Sequence, residues 1–198
     1  SAPVSEALLW LERQTHLRSN YPRMLAGKEV GRLITAVVRM IRPQRVLELG
    51  TFTGYSALCL AEGLTEDGEL HTIENNIEFE DRIREYVGQS PLCERIILHI
   101  GDAKEVAATL DYSWDLVFID AEKEDYQDYY DIILPKVRPG GFILVDNTLW
   151  NGKVTHEVAH NDRDTKAILA FNDFVQHDPR VRNLLLPFRD GIMMIEKL

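Results

Sequence analysis

Short apolar runs of β character alternate with longer stretches of helical spacing along most of the chain, and this alternation limits the possible architectures more than any other feature. The β-like runs cover residues 45–49, 69–74, 95–100, 115–120 and 141–146. Their cores (VLEL, LHTI, IILHI, LVFI, FILV) are apolar at consecutive positions, as in strands covered on both faces. Between them, residues 55–64, 77–89, 103–110 and 126–134 pattern as helices. Strand, helix, strand repeated in this way means βαβ units and a parallel sheet, and right-handed crossovers make that sheet a doubly wound α/β structure.

The C-terminal part differs. A helix-like stretch over 165–176 precedes two β-like runs, 181–187 and 192–196, joined only by Phe188, Arg189, Asp190 and Gly191. So short a link allows a hairpin and forbids a helical crossover. The expectation is a single α/β domain over residues 1–198, mainly parallel, closed by a C-terminal antiparallel hairpin and opened by a helical segment over 1–42. The polar stretch 151–164, with His156 and His160, reads as a long loop just beyond a strand end and is a candidate lid.

Composition narrows the function classes. The 198 residues include 22 Lys and Arg against 32 Asp and Glu, a net charge of −10, which disfavours polyanionic partners and anionic membrane surfaces. No apolar run approaches the roughly 18 residues of a membrane span. The N-terminal SAPVSEALLWLERQ has no basic leader, and Glu6 and Glu12 interrupt it, so it does not read as a signal peptide; the absence of an initiator Met suggests that a few residues were removed. Two cysteines, Cys59 and Cys93, lie in no metal-like spacing, and a reduced cytoplasmic setting is the simplest reading.

The first βα junction reads LELGTFTGYS. Gly50 and Gly54 allow a sharp turn and close approach of a ligand to the backbone at a helix start. The spacing is neither the G-x-G-x-x-G of dinucleotide binders nor a phosphate loop. A tight turn without a ligand explains it equally well. About 20 residues on, the second run ends in Glu74, placed to hold a ribose diol with its two carboxylate oxygens. Together these favour a nucleoside cofactor without a phosphate cradle, and S-adenosylmethionine fits better than NAD. Glu48 can face the cofactor's cationic end, and Asp102-Ala103 stands where an adenine amino group is read, although Asp102 also suits a helix N-cap.

Further on, one strand ends in Asp120 and the next in Asp146-Asn147. Carboxyl ends of neighbouring strands in such a sheet open toward the ligand crevice, so two carboxylates and an amide oxygen converge. These hard oxygen donors suit Mg²⁺, Mn²⁺ or Ca²⁺ and not zinc. Helix capping is the competing explanation for the same residues. Lys123, in an acidic run three residues beyond Asp120, is either one more surface lysine or an amine whose pKa a nearby dication lowers.

The blocks LELGTFTGYSA, TIE, GDA, DLVFIDAEKEDY and LPKVRPGGFILVDNTLWNGKV, in that order, resemble the cation-dependent, S-adenosylmethionine-dependent O-methyltransferases, which include catechol and caffeoyl-CoA O-methyltransferases and small bacterial relatives. The resemblance runs from about Asn20 to the C-terminus. It implies a Rossmann-like, seven-stranded class I methyltransferase sheet with the antiparallel seventh strand between the fifth and sixth. It implies metal binding by Asp120, Asp146 and Asn147, and a catalytic role for Asp120 and for Lys123 as base or charge stabiliser. Glu48, Gly50, Gly54, Tyr55 and Ser56 would hold the methionine part of the cofactor, Glu74 the ribose, Asp102 and Ala103 the adenine, and Asp120 would serve cofactor and metal together. It also implies a homodimer.

The reaction expected is direct methyl transfer to a hydroxyl of a small vicinal diol. The alternatives are O-methylation of a hydroxylated tRNA base, toward which Arg18, Arg23, Lys28, Arg32, Arg39, Arg42 and Arg45 gather basic charge, and a non-catalytic cofactor-binding module. Trp150 reads as an acceptor wall or a core aromatic. His71 and His99 read as satisfied strand histidines, and Tyr126, Tyr129 and Tyr130 as packing a helix onto the sheet.

Overall fold

The computed structural model describes residues 4–198; residues 1–3, part of the N-terminal segment expected to be helical, lie outside the described residues. Seven strands form one sheet: β1 (Arg45–Leu49), β2 (Glu69–Glu74), β3 (Ile96–Ile100), β4 (Trp114–Ile119), β5 (Val137–Val145), β6 (Val181–Leu186) and β7 (Ile192–Lys197). Their order is β3-β2-β1-β4-β5-β7-β6. β2 runs parallel to β3 and β4 to β5, while β7 is antiparallel to both β5 and β6. The antiparallel last strand thus lies between the fifth and sixth. The chain divides into two compact units, one of residues up to Val46 with Thr51–Asp102, the other of Leu47–Gly50 with Ala103–Leu198.

The first unit carries α1 (Glu6–Arg18), α2 (Gly27–Ile41), α3 (Tyr55–Ala61) and α4 (Glu80–Val87) with β2 and β3. Ser5 caps α1 by accepting from the Leu8 amide, and α2 buries Val30, Ile34, Val37 and Val38, a stripe at helical spacing. Contact between α2 and α3 depends on Gly31: a Cβ there would lie 2.8 Å from the Tyr55 ring and 2.9 Å from the Cys59 sulfur. The helix expected over 77–89 begins as a 3-10 turn at Ile77–Phe79, where Asn76 accepts from the Glu78 amide, and is α-helical only over Glu80–Val87.

A polar network crosses the strands of this unit. His71 Nδ1 lies 3.0 Å from His99 Nε2, and His71 Nε2 lies 2.9 Å from Glu69 Oε1. Arg45 pairs with the same Glu69 carboxylate. Burial, then the Arg45 charge, lowers the His71 pKa to about 4. The histidines are satisfied strand residues, as their positions suggested. The basic stretch near the N-terminus is largely neutralised from within: Arg18 pairs with Glu85, Lys28 with Glu12, Arg39 with Glu62 and Arg45 with Glu69.

The second unit packs α5 (Ala103–Thr109), α6 (Tyr126–Ile133) and α7 (Arg163–His177) with β4 to β7. β5 begins at Val137, earlier than the run at 141–146 suggested, because Val137 pairs with Trp114 ahead of an irregularity in the ladder. Asp146, expected as the strand's last residue, lies just past its end. Tyr126, Tyr129 and Tyr130 are buried on α6, and Phe171 of α7 meets Tyr126 and Tyr130 edge-on, with ring centroids 5.7 and 6.0 Å away. Two half-buried lysines cap backbone carbonyls in this unit. Lys136 donates to the carbonyls of Ala107, Ala108 and Leu110, and Lys197 to those of Leu134, Pro135 and Val137. The stretch 151–164 is more structured than a long loop: Trp150–Thr155 forms 3-10 turns, Lys153 pairs with Asp162 at 3.0 Å, and Asp162 caps α7 through the Thr165 amide. No helix among the described residues is long and apolar enough to cross a membrane.

Candidate active site

In the first unit the turn after β1 is organised around Glu74. Its Oε2 accepts from the Phe52 amide at 2.8 Å and its Oε1 from the Asn76 amide at 2.9 Å, so the carboxylate holds the turn and its own strand end together. Burial raises the Glu74 pKa, against these backbone hydrogen bonds. Thr51 and Thr72 join hydroxyl to hydroxyl at 2.5 Å, and Thr15 of α1 donates to Thr53 at 3.0 Å. The amides of Phe52 and Asn76 have no catalytic signature in the sequence, yet they fix where Glu74 stands.

Gly54 caps α3 in the left-handed region (φ 91°), and a Cβ there would lie 2.7 Å from Val87. Close packing alone therefore requires this glycine. Tyr55 and Ser56 are both buried at the start of α3, and the Tyr55 ring packs on Gly31 of α2. Asp102 is half-buried directly before α5.

In the second unit Ala103 is buried as the first residue of α5, and Glu48 is fully buried within β1. Gly50 has φ 96°, and a Cβ on it would collide with the carbonyl oxygen of Asp120. Asp120 in turn donates its amide to the carbonyl of Leu49 at 2.9 Å. The end of β1 and the residue after β4 are therefore locked backbone to backbone.

Asp120 Oδ1 accepts from Lys123 Nζ at 2.9 Å, and the two side chains are 19% and 12% exposed. Burial acts to discharge the Lys123 amine, but Asp120 and Tyr126 outweigh it and hold the pKa above the ordinary lysine value. Lys123 here is an ammonium ion and a hydrogen-bond donor. Its Nζ lies 5.1 Å from the centroid of the Tyr126 ring and 5.8 Å from that of Trp150. Trp150 is accordingly a half-buried aromatic beside the cluster, not a member of the deep core.

Asp146 is buried, and burial followed by the nearby Asp120 charge pushes its carboxyl pKa up to about 7. Its Oδ1 accepts from the Asn147 amide at 2.7 Å. Asn147 is in the left-handed region (φ 60°), as are Trp150 and Asn151, so the donor segment leaves β5 in a strained path. Backbone bonds from Thr148 to Gly191 and from Leu149 to Asp190 clamp that path to the β6–β7 hairpin. Asn172 of α7 adds a bond to the Thr148 carbonyl at 2.8 Å, and Tyr126 Oη donates to the Asp146 carbonyl at 2.9 Å.

Among the described residues no three His, Cys, Asp or Glu side chains gather as a metal cage. The donor set is instead two carboxylates and an amide oxygen. Two carboxylates that disfavour each other's charge in a buried place fit a divalent cation, which would offset the charge that a single ammonium leaves. His156 and His160 are exposed.

Comparisons with known proteins point to one family. A family model described as O-methyltransferase matches residues 1–198. The chain is 30% identical over 180 residues to the probable caffeoyl-CoA O-methyltransferase 2 of Dictyostelium discoideum, covering 88% of this chain and 78% of that protein. Its fold matches the S-adenosylhomocysteine-bound methyltransferase PaMTH1 of Podospora anserina with TM-score 0.91 at 28% identity, covering 100% of this chain and 90% of the other. It matches the O-methyltransferase TomG of Streptomyces achromogenes, solved in complex with S-adenosylmethionine, with TM-score 0.89 at 28% identity, covering 98% and 91%.

Proposed function

This chain belongs to the O-methyltransferase family, and from that premise we propose that it moves the methyl group of S-adenosylmethionine to a hydroxyl of a small catechol-like vicinal diol in a metal-dependent reaction. The observation that carries the metal and diol part of the reading is the buried set of Asp120, Asp146 and Lys123 beside Asn147. S-adenosylmethionine, when bound, supplies a methyl group on a sulfonium, and the bound forms of two structural neighbours support it as the cofactor. A divalent cation, Mg²⁺ first, when bound lowers the pKa of an acceptor hydroxyl toward neutrality.

The residues divide the work. Asp120, Asp146 and Asn147 would hold the cation as hard oxygen donors. Lys123, clamped as an ammonium by Asp120, would shield negative charge as it develops on the attacked oxygen. Glu74, already oriented by two amides, would hold the ribose hydroxyls. Glu48, Gly50, Gly54, Tyr55 and Ser56 would hold the methionine part, the last three through the backbone at the start of α3. Asp102 and Ala103 would meet the adenine. Strapping donors to a stiff backbone suits a reaction in which positioning supplies much of the rate. The family resemblance extends the reading to a homodimer in a reducing cytoplasm, and sedimentation equilibrium tests the dimer.

The experiment is methyl transfer from tritiated S-adenosylmethionine to a panel of vicinal diols and to total tRNA, with Mg²⁺ and with excess EDTA. Labelling of a diol, lost in EDTA and in Asp146→Ala while cofactor binding persists, supports the proposal. Full activity in EDTA removes the metal role, and labelling of tRNA alone replaces the substrate class.

A further inference from the structure

We infer that Tyr126 is a positioning residue for the methyl-transfer site, joining the Lys123 ammonium to the Asp146 backbone through one side chain; the inference rests on the function proposed above. Tyr126 is the first residue of α6, directly after the 3-10 turn Lys123–Asp125, so Lys123 and Tyr126 lie three residues apart on one continuous helical path and share a face. The phenol is fully buried.

Ring and hydroxyl both bear on the cluster, and the hydroxyl also interacts with the Lys123 ammonium. The ring face lies 5.1 Å from Lys123 Nζ, within range for an ammonium over an aromatic, and helps to keep that amine beside Asp120. The hydroxyl reaches the end of β5 and donates to the Asp146 carbonyl at 2.9 Å, fixing the residue just before the left-handed Asn147. Phe171 of α7 supports the ring edge-on at 5.7 Å. A tyrosine that only filled the core would need neither the ammonium on its face nor a bond to the strand end that carries the carboxylates. Here one residue ties the chain after β4 to the chain after β5.

Two substitutions in the full chain separate these roles. Tyr126→Phe keeps the ring and removes the hydroxyl. We expect kcat to fall about 10-fold and Mn²⁺ affinity, read by calorimetry, to fall by about the same factor, with KM for S-adenosylmethionine unchanged. Tyr126→Leu removes both contacts, and its kcat falls further. A filler role would instead lower thermal stability and move all ligand affinities together. Equal kcat and equal Mn²⁺ affinity in Tyr126→Phe and the unsubstituted chain overturn the inference. Should Tyr126→Phe not fold, a difluorinated tyrosine at this position keeps the donor and weakens the ring face; a lower kcat then supports the inference, and an unchanged kcat overturns it. An unsubstituted chain that moves no methyl group counts against the functional reading, and the Mn²⁺ comparison alone then decides the role of Tyr126, with no difference overturning it.

Discussion

At Gly50 the cost of one methyl group is set by a backbone neighbour. Gly27, at φ 78°, has nothing within 4 Å of an added Cβ and pays only a conformational penalty when substituted. Gly50 has the same kind of dihedral and in addition faces the carbonyl of Asp120, a backbone group that cannot swing away like a flexible side chain because the Asp120 amide is bonded to the Leu49 carbonyl. Gly27→Ala should therefore cost about 1 kcal/mol in urea denaturation, the left-handed penalty alone. Gly50→Ala should cost about 3 kcal/mol or more, because β1 and the Asp120 turn must separate. Because that turn carries Asp120, cation affinity should fall as well in Gly50→Ala and stay unchanged in Gly27→Ala. Equal costs for the two substitutions would show that the backbone approach is not tight in solution.

Among the elements, the two lysine caps offer a test without catalytic side effects. Lys136 closes the end of α5 by donating to three carbonyls, and Lys197 does the same for the turn after α6. Carbonyls at helix ends need partners, and an ammonium there also meets the negative end of the helix dipole. Lys136→Met and Lys197→Met keep the aliphatic stem, so each should lower unfolding free energy by about 1–2 kcal/mol in urea and leave S-adenosylmethionine affinity unchanged. The same scale shows what the sequence could tell. β1 and β2 end where their apolar runs end, because a doubly covered strand is a continuous apolar string. The start of β5 was hidden because Pro139 and Gly140 are poor strand formers; pairing with Trp114 draws Val137 into the sheet regardless. The gathering of Asp120 and Asp146 could be read from the sequence because the ends of neighbouring strands lie side by side in this architecture. The bonds from Tyr126, Asn172 and the β6–β7 hairpin could not, since each joins residues distant in sequence and has no local pattern. Only the i, i+3 spacing of Lys123 and Tyr126 hinted at one of them.

For the molecule as a whole, the charge of −10 says less about partners than its distribution does. Four of the seven basic residues that raised a tRNA reading already face carboxylates, which leaves little of the N-terminal basic charge for a polyanion. The buried titratable groups instead set a response to acid. His71 is held neutral in the fold, its pKa lowered to about 4 by burial and by Arg45, whereas an unfolded histidine protonates near 6.5. Between those values the unfolded chain binds a proton that the folded chain refuses, so stability is fully present above about pH 6.5 and falls as the pH drops toward 4. Asp178 behaves likewise lower down: Arg180 first, with Tyr130 adding a hydrogen bond, draws its pKa to about 2, so its contribution holds above about pH 4 and is lost as the pH falls toward 2. Asp146, its pKa raised to about 7, works in the opposite sense and gains stability as the pH falls through the same upper window. The His71 contribution is therefore read as the difference between variant and unsubstituted chain in urea midpoints taken from pH 8 to pH 2, with the Asp178 step at the acid end. His71→Gln removes the proton site while keeping a polar side chain, so between pH 6.5 and 4 its stability should rise relative to that of the unsubstituted chain, even if it is lower at pH 8. Asp178→Asn should leave the upper window unchanged and remove the step at the acid end. A His71→Gln profile parallel to that of the unsubstituted chain would mean that the acid response arises elsewhere, in the exposed carboxylates that make up most of the negative charge.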